Sequence, residues 1–312
     1  MRQENIEISI IIPCFNSGNF LLETLKSIDT SHPIMNHTEI IIINDGSSDV
    51  ETIKILNDLS AKFLVLHKTN GGPASARNYG IKHSVGKYIF TLDSDNLILM
   101  DYLVIGKEIL DKNEQIGVVY AAPEYFGDIN SDSQTWQNQS LLSLAEANFI
   151  DMCAMFRKDI WSKVGGLNES KILIGHEDWE FWLKIALLTN KQFYFIDQKL
   201  FKYRVRLQDS VSIVYNNSCR KTAYKLHYLY DIRKKFLSKF LKRREISKEK
   251  YCEILGKITG NTSMLHLQCG SIWIALVNLF RNIFLYRYNS FEFIKGFIYW
   301  LKIKVFKKSN VL

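Results

Sequence analysis

The chain has 312 residues, of which 47% are hydrophobic and 23% charged, a globular composition that excludes a disordered or low-complexity protein. That length buries at least one large core and leaves room for a smaller appended domain. The formal net charge of +8 is unevenly placed: residues 216–312 hold 20 Lys or Arg against 5 Asp or Glu, a net of +15, which leaves −7 for residues 1–215.

The first 120 residues alternate between two periodicities. Ile8 to Ile12 is a continuous β-branched run ended by Pro13 and predicts a buried strand. Leu21, Leu22, Leu25 and Ile28 then recur at helical spacing. Glu39 to Ile43 predicts a second buried strand, closed by the turn residues Asn44 to Ser48, and a helix follows with Ile53, Leu56 and Leu59 on one side. Phe63 to Leu66 makes a third strand. Gly71-Gly72-Pro73 breaks the chain before a helix from about Ala74 to Lys82. Tyr88 to Leu92 is a fourth strand that runs directly into Asp93-Ser94-Asp95. Short apolar strands alternating with helices predict an α/β fold, a mainly parallel sheet flanked by helices. In such a sheet ligands bind beyond the carboxyl ends of the strands, where Cys14-Phe15-Asn16, Asn44-Asp45-Gly46 and Asp93-Ser94-Asp95 all fall.

Residues 116–215 are less regular. Val118 to Ala121 and Cys153 to Phe156 read as strands, Gly165-Gly166 as a turn, and Asp178 to Leu188 as a helix with two tryptophans near its start. From about 216 the pattern is helical and basic, without Pro. The start, Met1 to Glu7, lacks the basic-then-apolar pattern of a signal peptide. The five cysteines are odd in number and form no Cys-x-x-Cys pair, which fits reduced thiols in a cytoplasmic compartment. No uninterrupted apolar stretch has the roughly 18 residues of a membrane span.

Three constellations carry chemistry. Two carboxylates separated by one small residue, Asp93-Ser94-Asp95, can both turn to a hard cation, which the charge developing on a leaving diphosphate requires. The same residues would also make an ordinary solvated turn. Asp45 is either an Asx-turn residue or an acceptor for a nucleobase N–H. In Gly175-His176-Glu177-Asp178-Trp179-Glu180, a carboxylate in a partly apolar pocket can take a proton from an acceptor hydroxyl, with Trp179 and Trp182 as an apolar platform for a sugar ring. Acidic residues in a first helical turn are also favoured by the helix dipole alone.

Four segments stand in order: Ile10-Ile11-Ile12-Pro13-Cys14-Phe15-Asn16, Ile42-Ile43-Asn44-Asp45-Gly46-Ser47-Ser48-Asp49, Asn70-Gly71-Gly72-Pro73-Ala74-Ser75-Ala76-Arg77-Asn78 and Leu92-Asp93-Ser94-Asp95. Together they resemble the family 2 glycosyltransferases of the GT-A fold, over residues 6–97 and again at about 148–212. The resemblance implies that Pro13, Phe15 and Asn16 line a nucleotide pocket and that Asp45 faces a uracil or other base. It implies that Gly72 and Arg77 shape or contact the donor near its diphosphate, although Gly72 also suffices as a helix start and Arg77 as a surface cation. Asp93 would lie near ribose and sugar, Ser94 between the two carboxylates, and Asp95 on Mn²⁺ or Mg²⁺ with Asp93 as second metal ligand. Gly165-Gly166-Leu167-Asn168-Glu169 followed by Glu177-Asp178-Trp179 resembles the acceptor-side signature, which assigns the base to Asp178 with Glu177 as orienting partner. Arg206 stands where many members carry a His near the metal. A guanidinium cannot ligate a metal but pairs with phosphate oxygens.

These readings divide the chain into a GT-A domain, 1–215, with a nucleotide-sugar half (about 1–115) and an acceptor half (about 116–215), and a basic, aromatic-rich helical extension, 216–312. The expected reaction is an inverting transfer of one sugar from a nucleotide diphosphate donor, a UDP-sugar, to a hydroxyl of a lipid-linked or growing cell-surface glycan. Aromatics mixed with cations in 272–312 suit a helix lying in an anionic interface, which would place the protein at the inner face of the cytoplasmic membrane. A helix pair packed on the catalytic domain is the alternative reading of those residues. Nucleic-acid binding has no recognisable module to support it. The alternatives to an enzyme of this kind are a non-catalytic glycan- or nucleotide-sugar-binding protein of the same fold and a sugar-phosphate nucleotidyltransferase. The latter ordinarily shows a Gly-rich, Arg/Lys-containing loop where this chain has Pro13 to Gly18.

Overall fold

The computed structural model describes residues 5–128, 138–207 and 219–268. Its frame is an eight-stranded sheet in the order β3-β2-β1-β4-β7-β6-β8-β5. The isoleucine runs form its centre, because a strand covered on both faces needs apolar residues at every position. β1 (Ile8–Cys14) and β2 (Thr38–Asn44) pair in parallel, with Ile10 opposite Ile40 and Cys14 opposite Asn44. β3 (Leu64–His67) joins β2, and β4 (Tyr88–Thr91) joins the other side of β1, both parallel. The connecting helices are α1 (Gly18–Ser27), α2 (Val50–Leu59) and α3 (Pro73–His83). Asp49 caps α2 by accepting from the Thr52 amide at 2.7 Å.

The second half of the sheet changes direction. β7 (Ala154–Arg157) runs antiparallel to β4 and to β6 (Ile116–Gly127), while β8 (Gln192–Val205) is parallel to β6. A two-residue strand, β5 (Leu97–Ile98), closes the edge antiparallel to β8. Four of the seven pairings are parallel, as a mainly parallel sheet requires. α4 (Asp101–Lys112), α5 (Lys158–Lys163) and α6 (Glu177–Leu188) complete the covering layers. The core is aromatic on both sides of the change in direction: Tyr102 meets Phe90 edge-on at 5.0 Å, and Phe156 meets Phe181 at 5.4 Å.

Two compact units are present. The first comprises Met1–Leu141 and Phe149–Ser210 and holds the sheet; the second comprises Leu142–Asn148 and Val211–Leu312. The short piece Leu142–Asn148 lies within the sequence-defined acceptor half yet clusters with the second unit. Its attachment there is specific, since the buried Arg233 donates through Nε to the Ala145 carbonyl at 2.6 Å and through a terminal nitrogen to that of Glu146 at 3.1 Å. In that unit α7 (Cys219–Lys242) and α8 (Lys248–Gln268) pack as a pair, burying Leu229, Phe236 and Leu237 with Ile254, Leu255 and Ile258. The helical character expected from about 216 is therefore present. The aromatic segment 272–312 and its expected membrane contact lie outside the described residues. Among those described, no helix is long and apolar enough to cross a membrane.

Candidate active site

Parallel pairing puts the carboxyl ends of β1, β2 and β4 on one edge, and hydrogen bonds then join the loops that leave them. The Asp45 amide donates to the Cys14 carbonyl at 2.9 Å. Asn16 has a φ of +50°, a left-handed conformation that Asn tolerates better than most residues. This turns its Oδ1 to accept from the amides of Ser48 at 2.8 Å and Asp49 at 3.0 Å. Ser17 Oγ lies 2.8 Å from Ser94 Oγ, tying the same loop to the Asp93-Ser94-Asp95 turn. Pro13 is half-buried, and Phe15 is 49% exposed, so an aromatic face stands open beside these tips. The three polar clusters are thus joined at one edge of the sheet.

Asp45 is tied to the loop that follows β3. Its Oδ1 accepts from Lys68 Nζ at 2.7 Å and from the Gly71 amide at 3.0 Å, and its Oδ2 accepts from the Gly72 amide at 2.8 Å. Its side chain is 4% exposed. The carboxylate is thus held by the loop that leads into α3. Lys68, which no motif marks, is the residue that makes this arrangement possible.

Gly72 caps α3 with φ +86°, and Pro73 follows at the first helical position. One turn on, Arg77 is buried, not a surface cation. It donates to Asp93 Oδ1 at 2.6 Å and to Glu177 Oε1 at 3.1 Å. Burial alone would lower its pKa; the Asp93 and Glu177 carboxylates more than offset this and hold it above its ordinary value. Glu177 is fixed in turn, since its Oε2 accepts from the Gly175 amide at 2.6 Å. The sequence orders these residues on two separate halves, and one guanidinium joins them.

Asp95 pairs through Oδ2 with Arg206 at 2.9 Å. Burial raises its pKa, as does Asp93, against the opposing charges of Arg206 and Arg204. Arg204 is a second residue without a motif. It donates through Nε to the Asp95 carbonyl at 3.0 Å and through a terminal nitrogen to Glu23 at 2.6 Å, with its guanidinium 4.9 Å above Phe20 and 4.3 Å above Phe126. Its place in the alternating run Lys202-Tyr203-Arg204-Val205 at the end of β8 was the available signal.

On the acceptor side Asp178 opens α6, and its Oδ1 accepts from the Trp179 amide at 2.7 Å. Its pKa is pushed up to about 7, first by burial and then by Glu177 and Asp151, against Arg77. Asp151 was not anticipated. It accepts from the Cys153 amide at 2.7 Å, and burial, then Asp93, push it to about 7 as well. A lone carboxylate within Phe149-Ile150-Asp151-Met152-Cys153 was its only signal. Asn78 holds the neighbouring loop: its Oδ1 accepts from the Trp161 indole and the Leu167 amide, both at 2.9 Å.

The tryptophan platform requires correction. Trp182 is 0% exposed, packs against Phe156 and Phe181, and donates its indole N–H to the Ile150 carbonyl at 3.0 Å. It has no face to offer a sugar, because the helix turns that position into the core. Trp179 is also buried, at 5% exposed.

A divalent cation fits this site only in part. Asp93 and Asp95 supply two carboxylates separated by one residue, which pair with Arg77 and Arg206 respectively. No group of three or more His, Cys, Asp or Glu capable of holding a metal exists among the described residues. The remaining ligands would have to be phosphate oxygens or water.

Known proteins resemble this chain in sequence and fold. The sequence profile described as Glycosyl transferase family 2 matches residues 9–165, half of the chain, and the protein belongs to that family. An uncharacterized glycosyltransferase of Rickettsia conorii is 40% identical over 113 residues, which cover 35% of this chain and 18% of that relative's length. The chain thus spans less than a fifth of that relative. Among solved structures, S. aureus TarS 1-349 in complex with UDP-GlcNAc has a TM-score of 0.59 at 17% identity, covering 88% of this chain and 89% of that one. The mannosyltransferase PcManGT from Pyrobaculum calidifontis, in complex with GDP-Man and Mn2+, has a TM-score of 0.53 at 14% identity, covering 95% and 87%. These structures establish the GT-A fold.

Proposed function

We propose that the protein transfers one sugar from a nucleotide diphosphate donor, a UDP-sugar, to a hydroxyl of a lipid-linked or cell-surface glycan with inversion at the anomeric carbon. The observation that carries this reading is the Arg77 bridge between Asp93, on the donor side, and Glu177, on the acceptor side. A reaction between two bound molecules needs its two half-sites held in one geometry, and this buried ion pair supplies that constraint.

In this reading Phe15 offers its exposed ring to the base, and Pro13 and Asn16 shape the pocket around it. Asp93 faces the ribose and sugar. Arg77 and Arg206 place positive charge beside the leaving diphosphate. A divalent cation, Mn²⁺ or Mg²⁺, held by Asp95 and Asp93 would neutralise charge developing on that diphosphate. Asp178 takes the proton from the attacking hydroxyl, a role for which a pKa of about 7 is well matched, and Glu177 orients it. One in-line displacement inverts the anomeric centre without a covalent intermediate. We place the reaction in residues 1–215, at the cytoplasmic face of the membrane, with 272–312 as the peripheral contact.

The deciding experiment compares wild type with Asp178→Asn for donor binding and for transfer. A loss of transfer of about a hundredfold or more with donor affinity retained supports the base assignment. Undiminished transfer by the variant removes it.

A further inference from the structure

Asp151 stands inside the site with one carboxylate oxygen unengaged. Its Oδ1 accepts the Cys153 amide at 2.7 Å. Its Oδ2 accepts from none of the described residues, and the residue is half-buried rather than sealed in the core. The backbone on either side is fixed from three elements. Trp182 of α6 donates its indole N–H to the Ile150 carbonyl at 3.0 Å, the Thr91 hydroxyl of β4 donates to the Met152 carbonyl, and the Tyr102 hydroxyl of α4 donates to that of Cys153 at 2.9 Å. A carboxylate whose flanks are tied to buried side chains is preorganised, so a ligand that meets it has little ordering left to impose.

The charged groups around Asp151 define where it lies. Among them Asp93 raises its pKa most, Arg77 opposes and Asp95 adds to the rise, while Asp178 is itself raised by Asp151. Asp151 therefore neighbours both the donor-side carboxylates and the acceptor-side base. It completes no three-residue metal group with Asp93 and Asp95 among the described residues, and a carboxylate repels a diphosphate. A sugar held for in-line transfer lies between the diphosphate and the hydroxyl bound at Asp178, and its ring hydroxyls are donors that suit a charged acceptor. We infer that Asp151 is a specificity-determining residue for the donor sugar: Oδ2 accepts one ring hydroxyl and favours donors that carry it over those that lack it. This rests on the nucleotide-sugar reading of the same site.

The test uses the full chain with Mn²⁺ present and compares wild type, Asp151→Asn and Asp151→Ala. UDP, UDP-glucose, UDP-galactose and UDP-N-acetylglucosamine are titrated calorimetrically, followed by deoxy analogues of whichever sugar nucleotide binds wild type most tightly. The inference predicts UDP affinities within about twofold of wild type, while that sugar nucleotide weakens by about tenfold or more in Asp151→Ala and by less in Asp151→Asn. One deoxy analogue should bind wild type more weakly than its parent by the same factor, and Asp151→Ala should bind the two alike. Equal losses for UDP and the sugar nucleotide make Asp151 a prop for its own loop and overturn the inference. Donor binding unchanged in both variants, with or without a raised acceptor KM, also overturns it, and the nucleotide-sugar reading then stands. Wild type that binds none of the sugar nucleotides overturns that reading and the inference with it. Asp151→Asn keeps the side-chain volume and an oxygen for the Cys153 amide, so it carries the test if Asp151→Ala does not fold.

Discussion

Arg77 reaches Asp93 at 2.6 Å and Glu177 at 3.1 Å, and these carboxylates lie 84 residues apart in the chain. The guanidinium's two terminal nitrogens serve two different carboxylates, which a lysine ammonium at the same place cannot match in geometry.

Arg77→Lys should therefore keep the charge and lose the bridge. We expect a fall in kcat of about a hundredfold with a smaller change in donor KM, as a loss of alignment rather than of binding. Arg77→Ala strands two carboxylates and should destabilise the fold by about 3–5 kcal/mol in chemical denaturation.

Asp178 sets the pH dependence. With a folded pKa near 7 against an ordinary value of 3.8, it is protonated at pH 6 and ionised at pH 8. The pH profile of kcat/KM should show an acid limb centred near 7 and a plateau above it. The stability sign is fixed too: the native state binds a proton more tightly than the unfolded chain, so this group's contribution is fully present below about pH 4 and is lost as pH rises through about 7. Asp178→Asn should flatten that part of the stability curve, read from urea midpoints between pH 4 and 8.

As a core residue, Trp182→Ala should cost about 3–5 kcal/mol of stability, and Trp182→Phe should leave acceptor KM near the wild-type value. A selective rise in acceptor KM for Trp182→Phe would restore the platform role.

Arg206 separates two electrostatic effects. Arg206→Gln removes a positive charge beside Asp95, so Mn²⁺ alone should bind more tightly while UDP with Mn²⁺ binds more weakly, each by about three- to tenfold. Calorimetric titrations of the two in parallel read both shifts. Movement in the same direction contradicts this account of the pair.

Much of the donor half was legible because its physics is local. Strands buried on both faces must be written as runs such as Ile8 to Ile12, and Gly72-Pro73 is a helix start whatever surrounds it. What was not legible depends on contacts across the fold. β8 interleaves Asp197, Gln198, Lys199 and Lys202 with its apolar residues, so no buried run announced it. α4 does carry helical spacing, with Tyr102, Leu103, Gly106 and Leu110 buried, but a glycine holds one core position where it packs near Met155. Helical periodicity set Trp179 and Trp182 three residues apart without revealing that Trp182 packs against Phe156 in the core. Asp45 stood out at once as a strand-tip carboxylate. The partners that fill it lie 23 to 27 residues further on, and only the folded chain brings them there.

The most direct test of the account is a thermal-shift titration of wild type and Asp95→Ala with UDP-, GDP- and dTDP-sugars, each with and without Mn²⁺. The account predicts that a UDP-sugar with Mn²⁺ raises the wild-type melting temperature by several degrees, as a ligand at about a hundred times its Kd does, and leaves Asp95→Ala unmoved. A wild type indifferent to every donor, or an Asp95→Ala variant stabilised as strongly as wild type, would contradict it.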